Sequence, residues 1–449
     1  MADTDVMDKL VSLCKRRGYV FQSSEIYGGT GSVWDYGPLG VELKRNVKDA
    51  WWRSMVHERD DIEGLDAAIL MHPRVWEASG HVAEFSDPLV ECLNCHRRFR
   101  EDTLREQAGT SDPAAIQCPS CGVTGKWSEP RQFNLMFKTF MGPVEDAAAT
   151  VYLRPETAQG IFVNFLNVQT SARQKVPFGI AQIGKAFRNE ITPGNFTFRT
   201  REFEQMEMQF FVEPGTDAEW FERWRDARFR WHREVLGLSE DRLRYHPHEK
   251  LAHYASAAGD VEFRFGGTIG EDGWGEVEGI HNRTDFDLRR HQEFSGKRLE
   301  YIDPAQNKRY LPYIIETSVG ADRITLAVLF NSYREEEVEG ETRVVLGIKP
   351  SLAPIKVGVF PLVKKDGMPE RAVAIHEDLR RRGIPSFYDE SGAIGRRYRR
   401  QDEAGTPFGI TVDGETMESG TVTIRDRDTM EQVRVDQEQI VEFVSERLR

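Results

Sequence analysis

FRNEITPGNFTFRTREFEQMEMQFF, residues Phe187 to Phe211, is the stretch on which the reading of the fold turns. Thr192-Pro193-Gly194-Asn195 supplies turn dihedrals between two segments of strand character, which predicts an antiparallel hairpin with a long polar loop. Along a strand, side chains alternate between faces. Met206, Met208 and Phe210 therefore share a core-facing side with Glu204. Arg199, Arg201, Phe203, Gln205, Glu207 and Gln209 share the other. Two arginines, an aromatic ring, a carboxylate and two amides make a poor core and a good binding floor. The alternative is a solvated face with surface ion pairs. Arg188 and Glu190, at the end of the first strand, reach toward the same floor.

Around the hairpin lies a chain of 449 residues, a length that predicts two or three domains. Apolar residues at 39% and aromatics at 10% exclude a disordered chain. A net charge of −13 gives no global basic footprint, so an RNA partner must be met by local patches. No stretch approaches the apolar length of a membrane span, and the opening MADTDVMDKL lacks a basic start followed by an apolar run. The expectation is a soluble, cytoplasmic protein without a membrane partner.

Four of the five cysteines form two C-x-x-C pairs, Cys92/Cys95 and Cys118/Cys121, separated by 22 residues. Without a secretion signal, paired C-x-x-C motifs favour metal over disulfides. Four thiolates at this spacing close a tetrahedral structural zinc site, and the metal replaces a core that residues 87–130 are too few to build. Thiols kept without metal are the competing reading. Cys14, in an apolar-periodic helix, reads as a small buried hydrophobe.

Elsewhere, Val41 to Arg59 predicts a long helix with Leu43, Val47, Trp51 and Met55 on one stripe, suited equally to a partner chain or to its own sheet. Pro155 suits a helix start, with Glu156 either there for the helix dipole or aimed into a site. A strand from Leu311 to Glu316, a turn at Gly320 and Arg323 in the first turn of an apolar helix place a cation beside the floor. That position is unfavourable on dipole grounds unless an anion is met there. After Pro350 and Pro354, alternating strands and helices predict a compact α/β domain. Its basic cluster, Arg396, Arg397, Arg399 and Arg400, reads either as a phosphate contact or as a solvated face.

Together these pieces resemble the class II aminoacyl-tRNA synthetases, specifically the homodimeric glycyl-tRNA synthetase family, from about Leu10 to the C-terminus. The hairpin carries the spacing of the second class motif, Phe187-Arg188-x-Glu190 and Arg199-x-x-x-Phe203-x-x-x-Glu207. Gly320-Ala321-Asp322-Arg323 corresponds to the third, and the helix through Lys44–Trp52 to the first. FQSSEIYGGTGSVWDYGPLG, RPETAQGIFVNF, FRTREFEQMEMQFF and GRRYRRQDEAGTPFGITVD are closer to the glycine family itself.

The resemblance implies an α+β fold. An antiparallel-sheet catalytic domain would span 1–346, with a zinc-ribbon-like insertion at 87–130 and a second insertion at about 212–310. An α/β anticodon-binding domain would span 352–449. It implies ATP-dependent activation of glycine with Mg2+, then transfer to tRNA(Gly), by a homodimer. Arg188 and Arg323 are the implied catalytic residues, on the α- and γ-phosphates, with Arg199 also on the γ-phosphate. ATP contacts are implied at Arg188, Asn189, Glu190, Phe198, Arg199, Thr200, Arg201, Glu202, Phe203, Glu276, Val277, Gly320, Ala321, Asp322 and Arg323. Glycine contacts are implied at Arg100, Glu156, Phe203, Glu204, Gln205, Met206, Glu207, Glu316, Thr317, Ser318, Val319 and Gly320. Arg396, Arg397, Arg399 and Arg400 become implied tRNA contacts. A synthetase-like protein that has lost catalysis, or one that loads a carrier protein, are the competing classes.

Overall fold

The computed structural model describes residues 3–448 except 146–148, 192, 253–254, 268, 271 and 304, so Thr192 of the hairpin loop lies outside the described residues. Seven strands form the central sheet. They are β1 (Ile62–Gly64), β2 (Phe178–Phe187), β3 (Glu202–Val212), β4 (Leu243–Pro247), β5 (Ala257–Arg264), β6 (Trp274–Thr284) and β7 (Tyr313–Gly320), in the order β4-β5-β6-β7-β3-β2-β1. Every pairing is antiparallel except β1 with β2. The quoted hairpin is thus β2 and β3, at the heart of the sheet.

Residues 212–310, expected as a second insertion, supply β4, β5 and β6 to this central sheet. Glycines and charged residues in that segment obscured its period-two alternation.

The sheet separates two cores. Under it, Met206, Met208, Phe210, Ile280, Ile315 and Val319 are buried against three helices. These are α1 (Pro38–Trp52), α3 (Asp217–Glu234) and α4 (Ala321–Ser332). The stripe Leu43, Val47, Trp51 and Met55 is at most 1% exposed inside this core, so it serves the chain's own sheet and not a partner. Above the sheet, only the far end is apolar. There Phe178, Phe211 and Ile314 pack beneath Phe162 of α2 (Ala158–Val163) and Phe165. The rest of the upper face is polar, with Gln182, Gln205, Glu207, Gln209 and Glu316 buried on it.

Residues 86–134 form a three-stranded sheet and one short helix around Val90, Leu104 and Ile116, a core of few side chains. Residues 357–444 hold a separate core of their own. They carry a five-stranded sheet whose first three strands, 357–361, 386–388 and 408–412, run parallel. Two further strands, 421–426 and 432–436, add antiparallel. This unit is fastened to the first through buried polar groups. The Arg343 Nε donates to Asp402 Oδ2 at 2.8 Å, Arg427 Nη2 to the Ile348 carbonyl at 2.9 Å, and the Tyr19 hydroxyl to the Ala404 carbonyl at 3.0 Å.

Candidate active site

Register places the floor residues in rows across the sheet. Phe203 pairs with Ala186, Gln205 with Gly184 and Gly320, Glu207 with Gln182 and Ser318, and Gln209 with Ile180 and Glu316. Ser318 pairs in turn with Gly279, and Glu316 with His281. Directly opposed residues project to the same side, so the upper face runs from an aromatic end, through amides, to a carboxylate end.

At the carboxylate end three acids converge. Glu207, 1% exposed, accepts from the Thr157 hydroxyl and from Gln209 Nε2 at 2.8 Å. Gln209 Nε2 also donates to Glu316 Oε2 at 2.7 Å, and Arg283 Nη1 reaches the same oxygen at 3.0 Å. His281 Nδ1 meets the other oxygen of Glu316 at 2.7 Å. Glu156 accepts from Gln159 Nε2 at 2.8 Å and faces His81 Nε2 at 3.3 Å. Arg283 is itself held by two bonds to Asp287, at 2.8 and 3.0 Å.

The surroundings treat these acids differently. Burial opposes ionisation of Glu316, but Arg283 and His281 outweigh it and bring its pKa down to about 2. For Glu156, the charge and hydrogen bond of His81, with Arg283 and Gln159, likewise overcome burial and hold the carboxyl far below the usual range. Glu207 goes the other way: burial first, then the charges of Glu316 and Glu156, push it well above 4.5. Three convergent acids, one of them starved of positive charge, suit a compact cation.

At the aromatic end, Arg188, Arg199 and Arg323 line one cavity with Glu190, Phe198, Phe203 and Glu276. The Arg188 guanidinium lies 5.3 Å over the Phe203 ring, and its Nε donates to the Pro155 carbonyl at 3.0 Å. Arg323 lies 4.6 Å over Phe198, donates from Nε to the Phe198 carbonyl at 2.9 Å and pairs with Glu276 at 3.0 Å. Three arginines beside two aromatic rings suit a polyanion joined to a flat base. Gly184 is required between the two ends, since a Cβ there would sit 2.1 Å from Arg154 Nη2. Arg154, 2% exposed, bonds the carbonyls of Lys185 and Ala67 and so anchors the chain just before Glu156.

Three convergent acids joined along one strand to a cavity of arginines and aromatic rings suit an adenylating enzyme, and sequence comparison agrees. Residues 137–333 match the tRNA synthetase class II core domain (G, H, P, S and T), and residues 356–447 match the anticodon binding domain. The chain is 54% identical to glycine–tRNA ligase of Cutibacterium acnes, covering 100% of this chain and 98% of that protein. It is 52% identical to glycine–tRNA ligase of Chlorobaculum tepidum, covering 98% of this chain and 100% of the other, and 52% identical to that of Thermobifida fusca, covering 100% and 99%. The chain belongs to the class II glycine–tRNA ligase family.

Within this ligase, several residues expected at the site stand elsewhere. Arg199 and Arg201 are not on the strand, which begins only at Glu202. Asn195 and Phe196 adopt left-handed backbone, while Phe196 packs on Trp34 and Phe198 on Phe265, drawing the chain out of the sheet. Arg199 still lines the cavity, but Arg201 donates to the carbonyls of Gly31 and Glu190. Glu204 turns under the sheet to Lys44 and Lys48, at 2.8 and 3.0 Å. Met206, Val277, Val319 and Ala321 are buried in the lower core, and Thr317 is buried with them opposite Met208. Val277 is there because it is the extra residue of a bulge opposite Val261/Glu262, which also aims Glu276 and Glu278 to different faces. Asp322 binds the Tyr36 hydroxyl, Lys44 and the Glu204 amide, so it locks α4 to α1. Glu204 and Asp322, like Thr200, nonetheless line the same cavity as Arg188 and Arg323.

Asn189 donates its backbone N–H to Leu135, Glu202 pairs with Lys185, and the Thr200 hydroxyl donates to the Glu202 carbonyl. Arg100 is tied to Asp102 at 2.6 Å and Asp87 at 3.4 Å, within electrostatic reach of Glu190. Among the four arginines of the C-terminal cluster, Arg397 is buried, giving its guanidinium to the carbonyls of Gly392 and Pro361, and Arg400 holds Asp389 at 2.6 Å. Both brace a loop, which leaves Arg396, exposed, and Arg399, half-buried, outside that brace.

Sequence reasoning missed His81, Thr157, Gln182, His281 and Arg283. Gln209 lay on the predicted floor without a role. His281, the partner of Glu316, becomes visible only once the β6–β7 register is known, and no local pattern marks His81.

The four cysteine sulfurs lie within 4.8 Å of one another, with Cys92 to Cys121 at 3.6 Å and Cys95 to Cys118 at 3.8 Å. Tetrahedral Zn–S bonds of about 2.3 Å place sulfurs about 3.8 Å apart, far beyond a disulfide. The donor set fits zinc.

Proposed function

We propose that both half-reactions of glycine–tRNA ligation run along the upper face of β3. The glycine ammonium sits among Glu156, Glu207 and Glu316, and its carboxylate points up the strand toward Arg188. One carboxylate oxygen attacks the α-phosphorus of ATP. The bond to the bridging oxygen breaks in line, and pyrophosphate leaves with that electron pair. Arg188 neutralises the charge growing on the α-phosphate, and Arg199 and Arg323 take the γ-phosphate. Phe203 offers one face to adenine, and Arg323 closes over the other. A hydroxyl of the terminal tRNA ribose then attacks the activated carbonyl, and AMP leaves.

Glu276, an exposed acid at the phosphate end whose carboxyl Arg323 and His281 hold below 4.5, would hold Mg2+. When bound, that ion neutralises phosphate charge. Cys92, Cys95, Cys118 and Cys121 would hold a structural Zn2+ that supports the insertion. Activation belongs to residues 1–346 and tRNA reading to 352–449, with Arg396 and Arg399 on the RNA backbone. The protein acts in the cytoplasm as a homodimer joined near the outer face of α1, where Val41 is 49% exposed. No helix among the described residues is long and apolar enough to cross a membrane.

The single observation that carries this reading is the continuous floor from three arginines and two rings to three convergent acids. Charging of tRNA(Gly) with labelled glycine tests it. Charging that needs ATP and glycine supports the reading, adenylation without transfer to tRNA favours the carrier-protein class, and neither leaves a non-catalytic relative.

A further inference from the structure

The segment before the cysteine insertion sends one imidazole into the glycine pocket. His81 stands at the start of a short helix, His81–Glu84. Its Nε2 is 3.3 Å from Glu156 Oε2 and its Nδ1 is 2.8 Å from the Ser79 hydroxyl. The ring is wedged between Trp76, edge-on with centroids 5.5 Å apart, and Phe85 at 5.2 Å. Phe85 in turn lies 5.5 Å from the Arg188 guanidinium, on which Phe203 also packs at 5.3 Å. A second link runs through the backbone, because Arg188 Nε is bonded to the carbonyl of Pro155, the residue before Glu156.

We infer that His81 is a positioning residue that couples the two substrate subsites, through Glu156 on the glycine side and Phe85–Arg188 on the phosphate side. Substrate at either end then orders the same short segment. When Arg188 is fixed by the α-phosphate, Phe85 is fixed against it. His81 then holds the Glu156 carboxylate in the orientation the ammonium needs. Coupling is reciprocal by thermodynamic necessity, so glycine must tighten ATP by the same factor. The zinc-type insertion begins at Ser86, directly after Phe85, so it is built onto the segment that carries this link.

This inference rests on the glycine-activating reading, and the experiment separates the two. Glycine affinity is measured by calorimetry on the full-length protein, with and without a non-hydrolysable ATP analogue, alongside glycine-dependent ATP–pyrophosphate exchange. If the unaltered protein gives no glycine-dependent exchange, the functional reading itself fails. If it does, the analogue should tighten glycine binding about tenfold. H81A should lose most of that enhancement and raise the glycine KM about tenfold, and by reciprocity it should raise the ATP KM at saturating glycine by nearly the same factor while leaving the analogue's affinity without glycine unchanged. H81Q, whose amide donates from near the Nε2 position, should recover glycine affinity to within about threefold. F85L, which leaves the Glu156 bond intact, should keep unassisted glycine affinity and lose the enhancement. Equal loss in H81A and H81Q, a fall in kcat with unchanged KM values, or full coupling in F85L would each overturn the role.

Discussion

Glu207 is under opposed demands at the level of a single side chain. Its carboxyl is buried beside two other acids and is pushed well above 4.5, first by burial and then by Glu316 and Glu156. A raised carboxyl pKa in the folded state is a stability penalty that sets in as pH rises above the unfolded value and is absent below it. Glu207→Gln should therefore raise the melting temperature at pH 8, with the gain vanishing below about pH 4.5. The same variant should raise the glycine KM by about tenfold or more, because an amide offers no charge to the ammonium. Thermal scans against pH, paired with exchange kinetics, check both halves. Glu316 has the opposite sign. Its pKa is brought down to about 2 by Arg283 and His281 against burial, so its contribution is present above 4.5 and fades as pH falls from there toward 2. Glu316→Gln should destabilise at neutral pH, and its deficit relative to the unaltered protein should shrink across that acid window.

The cysteine insertion shows the same dependence at the scale of an element. Its apolar core is Val90, Leu104 and Ile116 with Phe99 and Trp127, too little to order residues 86–134 unaided. Cys92→Ser with Cys121→Ser should abolish zinc binding, measured as one ion per chain in the unaltered protein. It should also add a separate low-temperature unfolding step while the main transition stays in place. An unaltered protein that carries no zinc would contradict the metal reading.

Elements were also where the sequence was most and least legible. From Phe203 to Gln209 strict alternation places alternate side chains on the floor, and the structure bears this out because β3 is regular there. The same alternation carried back to Arg199 and Arg201 fails. Trp34 and Phe265 capture Phe196 and Phe198, and those aromatic contacts lie more than 60 residues away in sequence. The strands of residues 243–284 were hidden for a related reason, since glycines and a bulge break their period. The acids' partners come from distant parts of the chain, His281 and Arg283 from β6 and His81 from the 73–85 segment, and only the β6–β7 register and the path of that segment bring them to the acids.

Across the whole molecule, the two larger units are joined by buried charge. Arg343, fully buried, bonds Asp402, Glu336 and the Arg427 carbonyl, and Asp402 also receives Arg425. Removing one partner strands the others without water, which costs about 3–5 kcal/mol. Arg343→Ala should therefore split a cooperative unfolding transition into two, visible by calorimetry. Transfer of glycine to tRNA should fall far more than pyrophosphate exchange, because only the former needs both units in register. At the same scale, Arg396→Ala with Arg399→Ala should weaken tRNA binding and reduce the slope of log K against log salt by up to about 2, while Arg400→Ala should chiefly lower stability.

The central claim is that the upper face of β3 activates glycine, with Arg188 on the α-phosphate. ATP–pyrophosphate exchange tests it most directly, run with glycine, alanine or no amino acid, on the unaltered protein and on Arg188→Ala. The account predicts exchange with glycine alone and a loss of about two orders of magnitude or more in Arg188→Ala. Exchange that does not depend on glycine, or a near-normal rate in Arg188→Ala, would contradict it.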